Sequence, residues 1–226
     1  RYTKRQCLKR NISPDKLTII PNGLDFHETP HCTAHNQQMI KSLIETEIQG
    51  KVILLTLGRL IPRKGHAWFI KNVFTELPEN YIYLIAGAGQ EIENIRNLSH
   101  EYTLDDRIFI LGYVNKEEKA CLFQLADLFI MPNISDKNDQ EGFGIVLLEA
   151  GSYNLPSIAS DIEGIRDAVI DGISGKLIPE KNANAFIEAI QNQSFNREQI
   201  SRQLRKKFDW KIISKRYLAA FQSITR

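Results

Sequence analysis

Glu141 and Glu149 are separated by seven residues in the run Glu141-Gly142-Phe143-Gly144-Ile145-Val146-Leu147-Leu148-Glu149. Two carboxylates so placed could hold hydroxyls at the two ends of one ligand. Gly142 and Gly144 let the backbone come close to it, since neither carries a Cβ. The apolar run from Ile145 to Ala150 predicts a buried helix, and the first turn of any helix leaves N–H groups without intrahelical partners. No capping side chain precedes it, which suits an anion at that end. The amides of Phe143, Gly144, Ile145 and Val146 then offer donors to sugar and phosphate oxygens. On this reading Glu141 lies on the loop at the mouth of the site and Glu149 about one turn into the helix. The ligand is elongated, with hydroxyls on either side of a diphosphate, as in a nucleotide sugar.

Cations suited to the diphosphate stand in Gly58-Arg59-Leu60 and Lys64-Gly65. Arg59 supplies a planar fork and Lys64 a compact charge, so together they could neutralise a diphosphate leaving group without a metal. Taken alone they read as solvated surface cations; the glutamate pair favours the functional reading. Arg63 is expected to be solvated. Gly87-Ala88-Gly89 suggests a dinucleotide fingerprint, but Ile92 replaces its third glycine. The segment from Gly58 to His66 lacks the ending of a phosphate-binding P-loop. The five histidines show no ligand spacing, and His66 reads as a surface or packing residue. Cys7, Cys32 and Cys121 are odd in number and scattered, which argues for reduced structural thiols and against a disulfide framework or zinc site.

These residues need a scaffold, and the chain alternates strand and helix. Short apolar runs at Val52–Leu57, Tyr81–Ala86, 107–111, 127–131 and 157–159 read as strands buried on both faces, separated by amphipathic stretches. The pattern predicts an α/β, Rossmann-like, doubly wound parallel sheet. In such sheets ligands bind beyond the carboxyl ends of the strands, where Gly58-Arg59, Gly87 to Gly89, Gly112-Tyr113-Val114 and the Glu141 loop all fall. Residues 1–14 read as a helix with a basic face, and Ile19-Ile20-Pro21-Asn22-Gly23 as a strand ending in an Asn-Gly turn. Near the end, Trp210, Ile213, Tyr217 and Phe221 recur at helical spacing among Arg202, Arg205, Lys206, Lys207, Lys211, Lys215 and Arg216. The simplest reading is a packed stripe opposite a solvated basic face; an anionic membrane surface is the other.

With 226 residues and 42% hydrophobic content the chain can fill a substantial core. No apolar run approaches the roughly 20 residues needed to cross a bilayer, and the first residues lack a signal peptide's apolar segment. A cytoplasmic protein is expected, with a peripheral contact at the inner face of the membrane left open. The balance of 29 Lys+Arg against 27 Asp+Glu gives no general reason to expect nucleic acid.

The glutamate pair, Gly58-Arg59-Leu60, Lys64-Gly65 and Asn154-Leu155-Pro156 after Glu149-Ala150 resemble the C-terminal half of retaining glycosyltransferases of the two-domain GT-B fold, in the large family four. The resemblance runs from about Leu17 to Phe221. It implies that residues 1–16 are the tail of a preceding domain or a linker, 17–208 a nucleotide-sugar-binding domain and 209–226 a C-terminal helix. It makes Glu141, Arg59 and Lys64 the candidate catalytic residues. Arg59 and Lys64 match the phosphate clamp, and Glu141 the glutamate near the transferred sugar. Glu149 matches the glutamate that accepts from the ribose hydroxyls. Gly58, Val114, Lys119, Phe143, Gly144, Ile145 and Val146 join Glu149 as donor-binding candidates; the Gly112-Tyr113-Val114 turn and Lys119 sit where related enzymes line the base pocket.

By resemblance the donor is a UDP- or GDP-sugar, with no further cofactor and no metal, and a hexosyl group passes to the hydroxyl of a glycan, lipid or other acceptor. The acceptor site belongs to a missing N-terminal domain, so the isolated chain is expected to be inactive. A noncatalytic nucleotide-sugar-binding module and a sugar-nucleotide epimerase of similar fold remain as alternatives. Asn154 replaces the usual glycine before Leu-Pro, though Asn tolerates the left-handed backbone. Asp167 replaces the more usual glutamate, and residues 135–140 form a polar insertion readable as a flap or a solvent loop.

Overall fold

The computed structural model describes residues 1–27, 29–44 and 48–224. Six parallel strands form one sheet: β1 (Val52–Leu57), β2 (Tyr81–Ala86), β3 (Ile108–Gly112), β4 (Leu128–Met131), β5 (Ser157–Ser160) and β6 (Gly175–Ile178). Their order is β3-β2-β1-β4-β5-β6, the doubly wound arrangement expected from the alternating pattern. The helices are α1 (Tyr2–Lys9), α2 (Ala34–Leu43), α3 (His66–Asn72), α4 (Ile92–Glu101), α5 (Lys116–Leu125), α6 (Ile145–Ser152), α7 (Ile165–Ala168), α8 (Ala183–Gln191), α9 (Arg197–Phe208) and α10 (Trp210–Ile224).

Side chains along each strand alternate between two apolar cores, one on each face of the sheet. Ile53 and Leu55 of β1 pack on one side with Ile82, Leu84, Phe129 and Met131. Leu54 packs on the other with Tyr83, Ile85, Leu128, Ile130 and the rings of Phe69, Phe74 and Phe186. Burying one such Leu, Ile or Phe contributes about 1.5–3 kcal/mol, which is why a parallel sheet this apolar needs helices on both faces.

Three expectations differ from the structure, and one strand is additional to those expected. Residues 19–23 form no strand; the chain instead docks on the α9–α10 junction, where Leu24 N–H donates to the Phe208 carbonyl at 2.9 Å and Trp210 N–H to the Leu24 carbonyl at 3.2 Å. A Cβ on Gly23 would stand 2.7 Å from the Trp210 ring, so the ring lies directly on the glycine. β6 was not foreseen, because this short strand exposes Lys176 and has no apolar run. Cys32 and Cys121 are joined in a disulfide, with Cα atoms 4.6 Å apart at a sequence separation of 89; among the described residues only Cys7 is a free thiol. Of the apolar stripe on α10, Ile213 is buried while Trp210, Tyr217 and Phe221 remain exposed. No helix among the described residues is long and apolar enough to cross a membrane.

Candidate active site

In this strand order β1 and β4 are neighbours, and the crossovers leave them in opposite directions. The crevice beyond their carboxyl ends is the switch point at which doubly wound sheets bind ligands. The loop after β1 carries Gly58 to Lys64 and the loop after β4 carries Pro132 to Gly144, so this topology alone brings Lys64 towards Glu141.

Local chemistry completes the approach. Pro62, Arg63 and Lys64 form one turn of 3-10 helix, and Gly65 ends it at φ +73°, a left-handed conformation that glycine takes without penalty. A Cβ at Gly65 would meet the Pro132 carbonyl oxygen at 2.0 Å. The Ile134 N–H donates to the Arg63 carbonyl at 2.8 Å, fastening this turn to the end of β4. The Lys64 stem passes over Gly58, with Cε 3.9 Å from where a glycine Cβ would lie.

The result is a charge cluster. Glu141 Oε2 accepts from Lys64 Nζ at 2.6 Å, Arg63 Nη1 at 2.8 Å and Asn133 Nδ2 at 3.4 Å, while Arg63 Nε pairs with Asp139 at 2.9 Å. Burial alone would raise the Glu141 carboxyl, but Lys64 and Arg63 outweigh it and hold it below the ordinary carboxylate range. Burial pulls the Lys64 ammonium down, against the attraction of Glu141, and the nearby Arg63 and Arg59 add to the lowering. Arg63, expected to be solvated, is only 8% exposed and is part of the cluster. Arg59 is the exposed member, and its side chain makes no hydrogen bond or ion pair among the described residues. Residues 135–140 are tied down at both ends, by Arg63–Asp139 and by Ser135 donating to Glu180.

Helix α6 begins beside this cluster. Its N-cap is Gly144 at φ +78°, no side chain caps it, and Ile145 at its first position is exposed. Phe143 turns its ring onto Phe208, 5.8 Å between centroids, leaving its backbone in the loop. Glu141 to Ile145 line a cleft of about 670 Å³ together with residues 17–22, α1, Arg166, Asp167 and Lys207. Five positions along α6, Glu149 pairs with Lys119 Nζ at 2.7 Å and lines a second cavity of about 180 Å³ with Asp25, Pro30, Phe123 and Tyr153. The two glutamates thus line different cavities, one near each end of the first turns of α6.

The wall of the second cavity is held by Tyr153 Oη donating to the Pro30 carbonyl at 2.9 Å; the Cys32–Cys121 disulfide joins the two segments that carry Pro30 and Phe123 outside that cavity. Lys119 is placed by α5, whose start is fixed by a capping box between Asn115 and Glu118. Val114 is half-buried against the core at the end of the β3 loop, while its neighbour Tyr113 is 85% exposed. Asn154 takes φ +61°, so the turn survives the loss of glycine, and its side chain accepts from the Ser201 N–H at 3.0 Å. Under the cluster, Tyr83 Oη donates to Thr56 at 3.0 Å and meets His66 Nδ1 at 3.4 Å. Burial, with Lys64 adding, pushes His66 down to about 3, so this core histidine is neutral.

Arg63, Asp139 and Asn133, with Glu163 whose carboxylate accepts the Glu141 backbone N–H, are the site residues that sequence patterns did not reveal. That Arg63 turns inward beside Lys64 depends on the 3-10 turn, whose only written signals are Pro62 and Gly65.

Fold and site together define a Rossmann-like domain with a cluster of paired charges at its switch point, one half of a GT-B fold. Residues 40–208 match the family Glycosyl transferases group 1, and the chain belongs to that family. It is 28% identical over 193 residues to the UDP-Gal:alpha-D-GlcNAc-diphosphoundecaprenol alpha-1,3-galactosyltransferase of Escherichia coli, covering 83% of this chain and 48% of that protein. It is 29% identical over 208 residues to the GDP-mannose-dependent alpha-(1-6)-phosphatidylinositol monomannoside mannosyltransferase of Mycobacterium tuberculosis, covering 87% of this chain and 51% of that one. The chain therefore spans about half the length of the curated relatives it matches. Among solved structures, a glycosyltransferase from Rickettsia africae superposes with TM-score 0.84 at 18% identity, covering 100% of this chain and 62% of that one. Anabaena HepE in complex with UDP superposes with TM-score 0.80 at 17% identity, covering 98% and 61%. At these identities the structures establish the shared fold.

Proposed function

We propose that this chain is the donor-binding half of a retaining glycosyltransferase that takes a hexosyl group from a UDP- or GDP-sugar and supports its transfer to an acceptor hydroxyl. The observation that carries this reading is the meeting of Lys64 with Glu141 at the switch point, beside a helix start that no side chain caps. A diphosphate entering the crevice meets Arg59, which has no competing partner among the described residues, and draws Lys64 from Glu141. As the bond between the anomeric carbon and the diphosphate oxygen breaks, negative charge grows on the leaving group. Arg59 and the first amides of α6 stand ready to receive it and Lys64, released from Glu141, joins them, which stabilises the transition state more than the ground state. Glu141, still held by Arg63, is free to hold sugar hydroxyls or to stabilise positive charge at the anomeric carbon. Glu149 takes the ribose hydroxyls and the Val114 backbone the base edge. Fixed cations perform the neutralisation, so no divalent ion is required.

The named donors of the relatives include both UDP-galactose and GDP-mannose, which supports the donor class without choosing the base or sugar. The acceptor is a glycan, lipid or other hydroxyl compound bound by a second domain, consistent with the greater length of the relatives. Cytoplasmic placement, with peripheral membrane contact through the basic α9 and α10, belongs to the same proposal. The test is radiolabelled-sugar transfer in EDTA by this chain and by a longer polypeptide that includes the preceding domain. Transfer is expected only from the longer one, because the acceptor must be held close to the anomeric carbon. Robust transfer by this chain alone, or strict dependence on a divalent ion, would overturn the proposal.

A further inference from the structure

Glu163 lies in the bend between β5 and α7 with φ +47°, a left-handed backbone that a long side chain adopts only at a cost. It is 9% exposed although it carries a carboxyl group, and burial pushes that carboxyl above its ordinary range. Such a residue needs a reason, and its contacts supply one. The Glu163 carboxylate accepts the backbone N–H of Glu141. The next residue, Gly164, donates its N–H to the Glu141 carbonyl at 3.1 Å. The two loops touch backbone to backbone, since a Cβ on Gly164 would stand 2.0 Å from the Gly142 carbonyl oxygen. Both polar groups of the Glu141 peptide are therefore held from one side by a two-residue bracket, while its side chain faces Lys64 and Arg63 from the other.

We propose that Glu163 is a positioning residue: its left-handed backbone and buried carboxylate bracket the Glu141 peptide, fixing where the Glu141 side chain and the amides that follow it point. A freely relaxing bend would let Glu163 return to ordinary backbone angles. Its carboxylate would then leave Glu141 N–H unpaired, and Gly164 would lose its seat against Gly142. Strain held at a site by surrounding contacts is a recognised form of preorganisation, and small displacements of a group that acts on developing charge are expensive. The functional part of this inference rests on the donor-binding reading above.

Two substitutions in the full-length polypeptide carrying this chain test it. Glu163→Gly accepts φ +47° without strain but removes the carboxylate, and Glu163→Gln keeps an acceptor oxygen in the same place. Two readouts are taken: amide hydrogen exchange at Glu141, followed by NMR, and sugar transfer set beside nucleoside diphosphate affinity. The Glu163→Gly protein should melt within a few degrees of the parent, exchange its Glu141 amide faster, and lose at least about 10-fold in kcat while binding UDP or GDP normally. Glu163→Gln should restore amide protection and most of the turnover. Parental exchange at Glu141 in Glu163→Gly, failure of Glu163→Gln to rescue, or parental kcat in Glu163→Gly would each overturn the proposal. A parent protein that neither binds a nucleoside diphosphate nor transfers sugar would instead refute the donor-binding reading, and the exchange measurement would still decide the role of Glu163.

Discussion

Replacing Lys64 or Arg59 by alanine is expected to weaken nucleoside diphosphate binding and to lower sugar transfer by the full-length protein about 100-fold or more, as loss of a preorganised partner for developing charge does. The two variants separate stability from function. Arg59 is exposed and its side chain has no partner among the described residues, so Arg59→Ala should leave the melting temperature unchanged while affinity falls. Lys64→Ala strips one of two cations from a half-buried carboxylate, and Glu141 keeps Arg63 at 2.8 Å, so the fold should survive with some loss of stability. Calorimetric titration with UDP and GDP checks both. Unchanged diphosphate affinity in both variants would remove these residues from phosphate binding.

Glu149→Gln should weaken ribonucleotides more than their 2′-deoxy analogues, by about 1.5–3 kcal/mol, the range for a hydrogen bond to a charged group. Glu149 pairs with Lys119 at 2.7 Å, both partly exposed, and an exposed pair of this kind contributes little to stability by itself. Its melting temperature should therefore change little while its ligand preference changes markedly. Equal losses for ribose and deoxyribose ligands would leave Glu149 as the partner of Lys119 and nothing more.

β1 and β2 begin and end where their apolar runs do, because a strand buried on both faces needs an unbroken run. β6 escaped notice because an edge strand can expose Lys176 and needs no such run. The uncapped start of α6 was visible in Gly144 followed by apolar residues with no capping side chain. The inward turn of Arg63 was not, since adjacent cations on a loop differ only through the turn that Gly65 closes against Pro132. Cys32 and Cys121 had no telling spacing, because packing of α2 and α5 brings their Cα atoms within 4.6 Å across 89 residues of sequence. Glu163 had no signal at all: its importance is a backbone angle and a contact to the Glu141 amide, neither of which leaves a pattern in residue types.

A nucleoside diphosphate is expected to bind at the switch point between the β1 and β4 loops through side-chain cations and backbone amides. Isothermal titration of UDP and GDP into this 226-residue chain in the presence of EDTA tests it most directly. Saturable one-to-one binding of at least one of the two is expected without added metal, abolished or strongly weakened in the Arg59→Ala, Lys64→Ala double variant. No binding by the unaltered chain, or binding that appears only with a divalent cation, would contradict it.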